Sequence, residues 1–223
     1  MSTLAAKPTT PEVMRLHCKV PQWIIEGMMK KIFKWGGIIL LVLYIALVIY
    51  RGFVLRAEEK TNEQVARIHA TKLALADVMG ENLPPVPSNP DSSIPGFDAN
   101  KNGIRDDVEL AIFAEYPNSA RTRAVLLQYA LALQMEVTQR IVNEGTVIAS
   151  VQEESRAFVC IGDVVPRTSS QFDEETDKLT NFVKEKQLNT KERKETRTKF
   201  YEKIDSYASL ERKCDIELST LSN

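Results

Sequence analysis

The sequence predicts an all-α protein with one N-terminal transmembrane helix, a juxtamembrane helix, a proline-rich linker and a small helical domain. Three observations support this fold class. The chain is rich in helix-forming residues and poor in alternating β-branched runs. Residues 35–50 form an uncharged apolar run, and prolines cluster between residues 84 and 95. The 29 basic and 30 acidic residues nearly balance, so the total charge gives no indication of nucleic-acid binding.

The apolar run predicts a membrane span over residues 32–55. Sixteen helical residues reach only about 24 Å, which is less than the hydrocarbon core of about 30 Å, so the flanking apolar residues must extend the span. Lys34 and Arg51 can snorkel to the two membrane interfaces, where Trp35 and Tyr50 would join the aromatic belts. No small-x-small cleavage site follows, which favours an uncleaved signal anchor over a signal peptide.

The flanking charges predict the orientation of the anchor. Lys30, Lys31 and Lys34 cluster just before the span, which favours an inside amino terminus. Residues 1–31 would then be a cytoplasmic tail, and the C-terminal domain would be periplasmic or otherwise extracytoplasmic, held on the inner (cytoplasmic) membrane by a single pass. Met28 begins a typical anchor sequence, so residues 1–28 are either a genuine tail or the result of an overextended start. A domain facing the cytosol, with reduced cysteines, stays open as an alternative.

Two segments are expected to connect the span to the domain. Residues 56–80 predict a juxtamembrane helix that Gly80 ends in the left-handed conformation. Its apolar stripe is interrupted by Lys72, so homo-oligomerisation through this helix, a stalk, and a helix docked on the domain all remain open. Residues 81–96 contain five prolines and predict a semi-rigid, partly extended linker.

The domain, residues 97–223, begins with a patterned loop at residues 98–109. Oxygen-bearing side chains occupy loop positions 1, 3, 5, 9 and 12, and Gly103 at position 6 permits a sharp turn. Ca²⁺ binds six to eight oxygen ligands, so this spacing predicts one structural calcium ion. The expected ligands are Asp98, Asn100, Asn102, the Ile104 carbonyl, Asp106 (directly or through water) and Glu109.

The loop resembles an EF-hand loop, whose pattern D-x-[DN]-x-[DN]-G-x5-E it fits. Ile104 at position 7 departs from that pattern, because EF-hands usually have their apolar residue at position 8, which is Arg105 here. An apolar position 7 followed by aspartate at 9 is more similar to the thrombospondin type 3-like loops of exported bacterial proteins. Together with the anchor and the linker, the loop resembles a group of bacterial envelope proteins. That resemblance implies a location and no activity.

Two further expectations concern this loop. Lys101 and Arg105 would offset its negative charge, which implies an affinity in the range of extracellular modules, about 10⁻⁴–10⁻³ M. The alternative is a simple turn followed by a helix that Asp106 caps. That alternative accounts for Gly103 and Asp106 and leaves Asp98 and Asn100 unexplained.

Helices are expected throughout the rest of the domain. Pro117 would end the first, and Ser119 would cap the second. The expected spans are 106 or 107 to 116, 120–143, 151–164, 173–187, and a last helix from residue 190. Apolar residues at helical spacing predict core faces, among them Phe158, Ile161 and Val165 in the third helix, and Phe200, Ile204, Tyr207, Leu210 and Cys214 in the last. Glu153 and Glu154 are interpreted as acids near a helix start.

The cysteines and histidines limit the chemistry. Cys160 and Cys214 would share an oxidising compartment and form one disulfide, with two buried thiols as the alternative; Cys18 would lie alone inside. Neither histidine, His17 or His69, lies in the predicted domain, which excludes Ser-His-Asp and Cys-His catalysis there. We therefore predict a non-catalytic, membrane-anchored envelope protein with a calcium-stabilised interaction domain and an unidentified envelope protein partner. The alternative is an exported metal-dependent hydrolase that uses a carboxylate site.

Overall fold

The computed structural model describes residues 22–204 and 214–222. The described residues contain helices and no strand, which confirms the all-α prediction. Most of the tail, including Cys18, and the predicted core positions Tyr207 and Leu210 lie outside the described residues. The helices are α1 (Gln22–Ala70), α2 (Leu75–Met79), α3 (Asp106–Glu115), α4 (Ala120–Thr138), α5 (Glu144–Ile161), α6 (Phe172–Gln187), α7 (Lys191–Tyr201) and a 3-10 helix at Leu218–Thr220.

The chain divides into two compact units, and the first ends at Leu55. Its described part belongs to α1, which is long and apolar enough near the N-terminus to cross a membrane. Large apolar side chains are exposed along this part of the helix. The four predicted interface residues, Lys34, Trp35, Tyr50 and Arg51, are exposed as well.

The second unit begins at Arg56, earlier than the predicted domain boundary at residue 97. Ile68, Leu73 and Val78 are buried in the same core as α3, α4 and α5. The juxtamembrane segment is therefore part of the domain, and it is not one continuous helix. It breaks between Ala70 and Leu75 because the Leu73 N–H donates to the Asp215 carboxylate (2.9 Å) instead of to the helix ladder. The left-handed end at Gly80 (φ 77°) agrees with the sequence.

Helix α4 forms the centre of the second unit and contacts α2, α3, α5, α6 and α7. Nearly all of its residues are buried, which its apolar composition allows. Ser119 caps it as expected, because its hydroxyl accepts the Thr122 N–H (3.2 Å). The helix ends at Thr138, five residues before the predicted end at 143.

Helix α5 begins at Glu144, seven residues before the predicted start at 151, because Asn143 and Thr146 form a cap there. The buried face also differs in part from the prediction. Phe158, predicted in the core, is 41% exposed, whereas Ala157 and Cys160 are fully buried.

The proline-rich segment 81–96 lies against the domain, whereas the sequence suggested a spacer. The buried Arg193 guanidinium of α7 donates to three of its backbone carbonyls, those of Pro90 (3.0 Å), Ser93 (2.9 Å) and Ile94 (3.0 Å). It also pairs with the Asp91 carboxylate at 2.5 Å. The segment is thereby fixed immediately before the 98–109 loop.

Candidate metal centre

The backbone of the 98–109 loop makes two left-handed turns. Lys101 has φ 60° and Gly103 has φ 84°. A Cβ at Gly103 would lie 2.8 Å from the Leu131 Cδ1 atom of α4, so glycine serves both the turn and the packing. The sequence indicated the turn at Gly103 but not the one at Lys101.

Asp98 organises the first half of the loop. Its carboxylate accepts the backbone N–H groups of Asn102 (3.1 Å) and Gly103 (3.0 Å). The Asn102 side-chain oxygen accepts the Ile104 N–H at 2.9 Å, and the Ile104 side chain is fully buried in the core. Burial raises the pKa of Asp98, an effect that these backbone hydrogen bonds oppose. Hydrogen bonds within the loop therefore fix the side chains of Asp98 and Asn102, which are positions 1 and 5 of the predicted ligand pattern.

Glu109 closes the loop from the first turn of α3 and is fully buried. Its Oε2 atom accepts the side-chain amides of Asn100 (3.0 Å) and Asn102 (3.2 Å). Its Oε1 atom has no hydrogen-bond partner among the residues that the structure describes. Burial raises the pKa of Glu109 to about 7, although the two amides oppose the rise. Three of the predicted ligand side chains therefore meet, and one carboxylate oxygen among them is unsatisfied.

Asp106 contacts the loop from the other side. It is buried, and its Oδ1 atom accepts the Ala99 N–H at 2.9 Å. The N-cap of α3 is Arg105, which makes no side-chain cap bond. The alternative in which Asp106 caps α3 is therefore wrong, because its carboxylate is directed back into the loop.

The charges around the loop are not balanced by basic side chains. Among the described residues, Asp98, Asp106 and Glu109 form no ion pair, whereas the buried acids Glu136 and Glu153 each pair with an arginine. Buried charges are normally paired or bound to a metal, because desolvation of an isolated charge is costly. This acidic group, which has no basic partner among the described residues, is therefore the candidate cation site.

Arg105 does not offset the charge of the loop as the sequence suggested. Its guanidinium is fully buried and bonds the Asp107 carboxylate and the Gln187 carbonyl (3.0 Å). The contact with Asp107 turns the guanidinium away from the six expected ligands. The expected weakening of calcium affinity by Arg105 consequently loses its physical basis.

A second polar cluster, which sequence reasoning missed, lies where α1 ends. His69 Nδ1 and the Lys72 ammonium contact the Glu153 carboxylate at 2.8 and 3.1 Å, and Arg156 bridges Glu153 to Asp215. Burial would raise the pKa of Glu153, but hydrogen bonds from His69 and Arg156 lower it overall. Glu153 is therefore an ion-paired residue in the middle of α5, and its interpretation as an acid near a helix start is wrong.

The two cysteines of the helical domain form a third group. Cys160 and Cys214 are joined by a disulfide with a Cα–Cα distance of 5.6 Å. Within the described part of the chain, their sulfurs and an Asp163 oxygen lie within 4.8 Å of one another. A disulfide has no thiolate to offer a metal, so this group is not a metal site.

The comparisons with known proteins add nothing to this geometry. No family model matches the chain, and neither the curated proteins nor the solved structures give a match. The class that the described residues define is an all-α protein with one membrane-length apolar helix and an acidic loop at residues 98–109. The functional argument depends on that loop.

Proposed function

We propose that this chain is a single-pass membrane protein whose helical domain is a non-catalytic interaction module stabilised by one calcium ion. The observation that supports the proposal is the fully buried Glu109 carboxylate, which has one oxygen without a partner among the described residues. Calcium would be held by oxygens of the six predicted residues, Asp98, Asn100, Asn102, Ile104, Asp106 and Glu109. Such ligands, carboxylates and amide or backbone carbonyls, are those that Ca²⁺ prefers.

Calcium would change the roles of the two asparagines. At present both side chains direct their nitrogens to Glu109. An asparagine amide offers donors on one side and an acceptor on the other. A rotation of each amide would present its oxygen to the ion, at the cost of the hydrogen bonds from Ile104 N–H to Asn102 and from Asn100 to the Asn82 carbonyl. The two positive charges of the ion would then offset most of the negative charge of the three loop carboxylates, and the ion would fix the entry into α3.

The same geometry argues against the hydrolase alternative. A catalytic carboxylate must reach a substrate, and Glu109 is fully buried. Asp98 and Asp106 are bonded to backbone N–H groups of their own loop. An interaction role, with an envelope protein as the partner, requires only that the loop be held rigid.

A thermal melt tests the calcium site. We expect millimolar calcium to raise the Tm of the full-length protein in detergent relative to excess chelator, because a ligand at ten times its Kd adds about 1.4 kcal/mol of stability. Glu109→Gln should lose this rise. Glu115→Gln, an exposed glutamate on the same helix, should keep it. No rise in the wild type, or an equal rise in Glu109→Gln, would contradict the proposal.

We also propose that the N-terminus lies inside and the domain outside the cytoplasm, on the evidence of Lys30, Lys31 and Lys34 before the span. A membrane-impermeant reductant and maleimide, applied to intact cells, should label Cys160 and Cys214. Cys160→Ala/Cys214→Ala should abolish that labelling. Labelling that requires cell lysis would instead place the domain in the cytosol.

A further inference from the structure

A backbone oxygen from outside the 98–109 loop lies against the candidate metal centre. The Asn82 carbonyl accepts the Asn100 side-chain amide at 2.9 Å. The same amide nitrogen donates to Glu109 Oε2 at 3.0 Å, and the Asn102 amide donates to that oxygen at 3.2 Å. One loop side chain therefore bonds both the closing carboxylate of the loop and a carbonyl from the proline-rich segment 81–96.

Packing on both sides of Asn82 fixes the position of this carbonyl. Before it, Gly80 ends α2 in the left-handed conformation, and a Cβ there would lie 2.9 Å from the Phe113 ring of α3. After it, Pro84 is buried. The chain around Asn82 therefore packs against α3, the helix whose first turn contains Glu109.

The distances between these atoms match those between neighbouring ligands of one calcium ion. Six to eight oxygens at 2.3–2.6 Å from Ca²⁺ lie about 2.8–3.5 Å from their neighbours. A rotation of the Asn100 amide would place its oxygen where its nitrogen now lies, 2.9 Å from the Asn82 carbonyl and 3.0 Å from Glu109 Oε2. Carbonyl, amide and ionised carboxylate oxygens are all acceptors, so they require a cation to lie this close together.

We infer that the Asn82 backbone carbonyl is a further ligand of the calcium ion. The inference rests on the proposed calcium site, which the unpartnered, fully buried Oε1 atom of Glu109 supports. Binding the ion would compensate this carbonyl for the hydrogen bond that it loses when the Asn100 amide rotates. With Asn82 the ion has seven protein residues as ligands, which agrees with the six to eight oxygens that calcium takes.

The added ligand gives the ion a task outside its own loop. Arg193 already holds the later part of the proline-rich segment through the carbonyls of Pro90, Ser93 and Ile94. Calcium on the Asn82 carbonyl would fix the beginning of the same segment. Calcium binding is therefore coupled to the docking of residues 81–96 on the domain.

Residue-selective NMR of the full-length protein in detergent tests the inference, because Asn82-Leu83 is the single Asn-Leu pair of the sequence. With ¹³C in asparagine carbonyls and ¹⁵N in leucine amides, only this peptide bond gives a carbonyl–nitrogen correlation. Saturating calcium should move the Asn82 carbonyl resonance to higher frequency, since a metal ion polarises a carbonyl more strongly than an amide N–H does. Asn181-Phe182, the single Asn-Phe pair, lies in α6 and should give an unchanged resonance.

The Ile104 carbonyl is the matched control for the loop itself. Ile104-Arg105 is the single Ile-Arg pair of the sequence, and its carbonyl is one of the six predicted ligands. If calcium leaves the Ile104 resonance unchanged, the proposed calcium site fails, and the inference fails with it. If Ile104 responds, but the Asn82 resonance stays or moves to lower frequency, the carbonyl has at most lost its hydrogen bond. The extension to Asn82 is then wrong while the loop site stands.

Discussion

Replacing Arg156 with leucine is expected to lower the free energy of unfolding by about 3–5 kcal/mol, because it removes the buried arginine that pairs with two buried carboxylates. Arg156 lies 2.9 Å from Glu153 Oε2 and 2.8 Å from Asp215 Oδ1. The side chains of those acids are only 2% and 1% exposed. Lys72 and His69 contact Glu153 from the partly exposed side, and Lys72 lies 3.8 Å from Asp215 Oδ1, but neither offers the fork of donors with which the guanidinium bonds both acids. Urea unfolding of the full-length protein in detergent at pH 7 measures the loss.

Two further variants identify the cause of that loss. Lys72→Leu removes a 41% exposed ammonium from the same cluster and should cost less than about 1 kcal/mol. Adding Glu153→Gln and Asp215→Asn to Arg156→Leu should recover much of the stability, since no buried charge is then left unpaired. A loss of under 1 kcal/mol in Arg156→Leu, or no recovery in the triple variant, would show that these ion pairs contribute little to the free energy of unfolding.

Local signals were enough to predict much of the fold. The helix content, the N-terminal apolar helix, the cap at Ser119 and the left-handed end at Gly80 each depend on residues within one or two turns. The cap of α5 was also visible, because Asn143 is a favoured N-cap residue and Thr146 follows it three positions later. The predicted start at 151 overlooked that signal.

Other features could not be predicted because their causes are distant in sequence. The helix break at residues 71–74 depends on Asp215, which is near the other end of the chain. The docking of the proline-rich segment depends on Arg193, which lies far along the chain in α7. In each case a buried charged group contacts residues that are distant in sequence, and the local sequence pattern does not indicate such contacts.

The candidate site, too, could be predicted only in part from the sequence. Spacing within twelve residues was enough to propose six ligands, and the structure brings Asn100, Asn102 and Glu109 into contact. Spacing could not show that Arg105 pairs with Asp107 and not with the loop carboxylates.

Loss of the disulfide is expected to lower the free energy of unfolding by about 4 kcal/mol in the chain-entropy model, because Cys160 and Cys214 close a loop with a sequence separation of 54. For a domain of this size, that corresponds to a fall in Tm of about 8–16 °C. The disulfide also fixes the segment that contains Asp215, whose carboxylate accepts the Leu73 N–H. Reduction should therefore speed hydrogen exchange at Leu73 in addition to lowering the Tm.

Two proteins that lack the disulfide should be compared with the oxidised protein. The reduced wild type keeps both side chains and loses only the bond, whereas Cys160→Ala/Cys214→Ala also removes the buried Cys160 sulfur. If chain entropy dominates, the two should melt within a few degrees of each other and well below the oxidised protein. Cys18→Ala, at a cysteine outside the described residues, controls for cysteine substitution as such. An oxidised protein no more stable than its reduced form, with unchanged exchange at Leu73, would mean that the ion cluster holds the C-terminal segment without help from the disulfide.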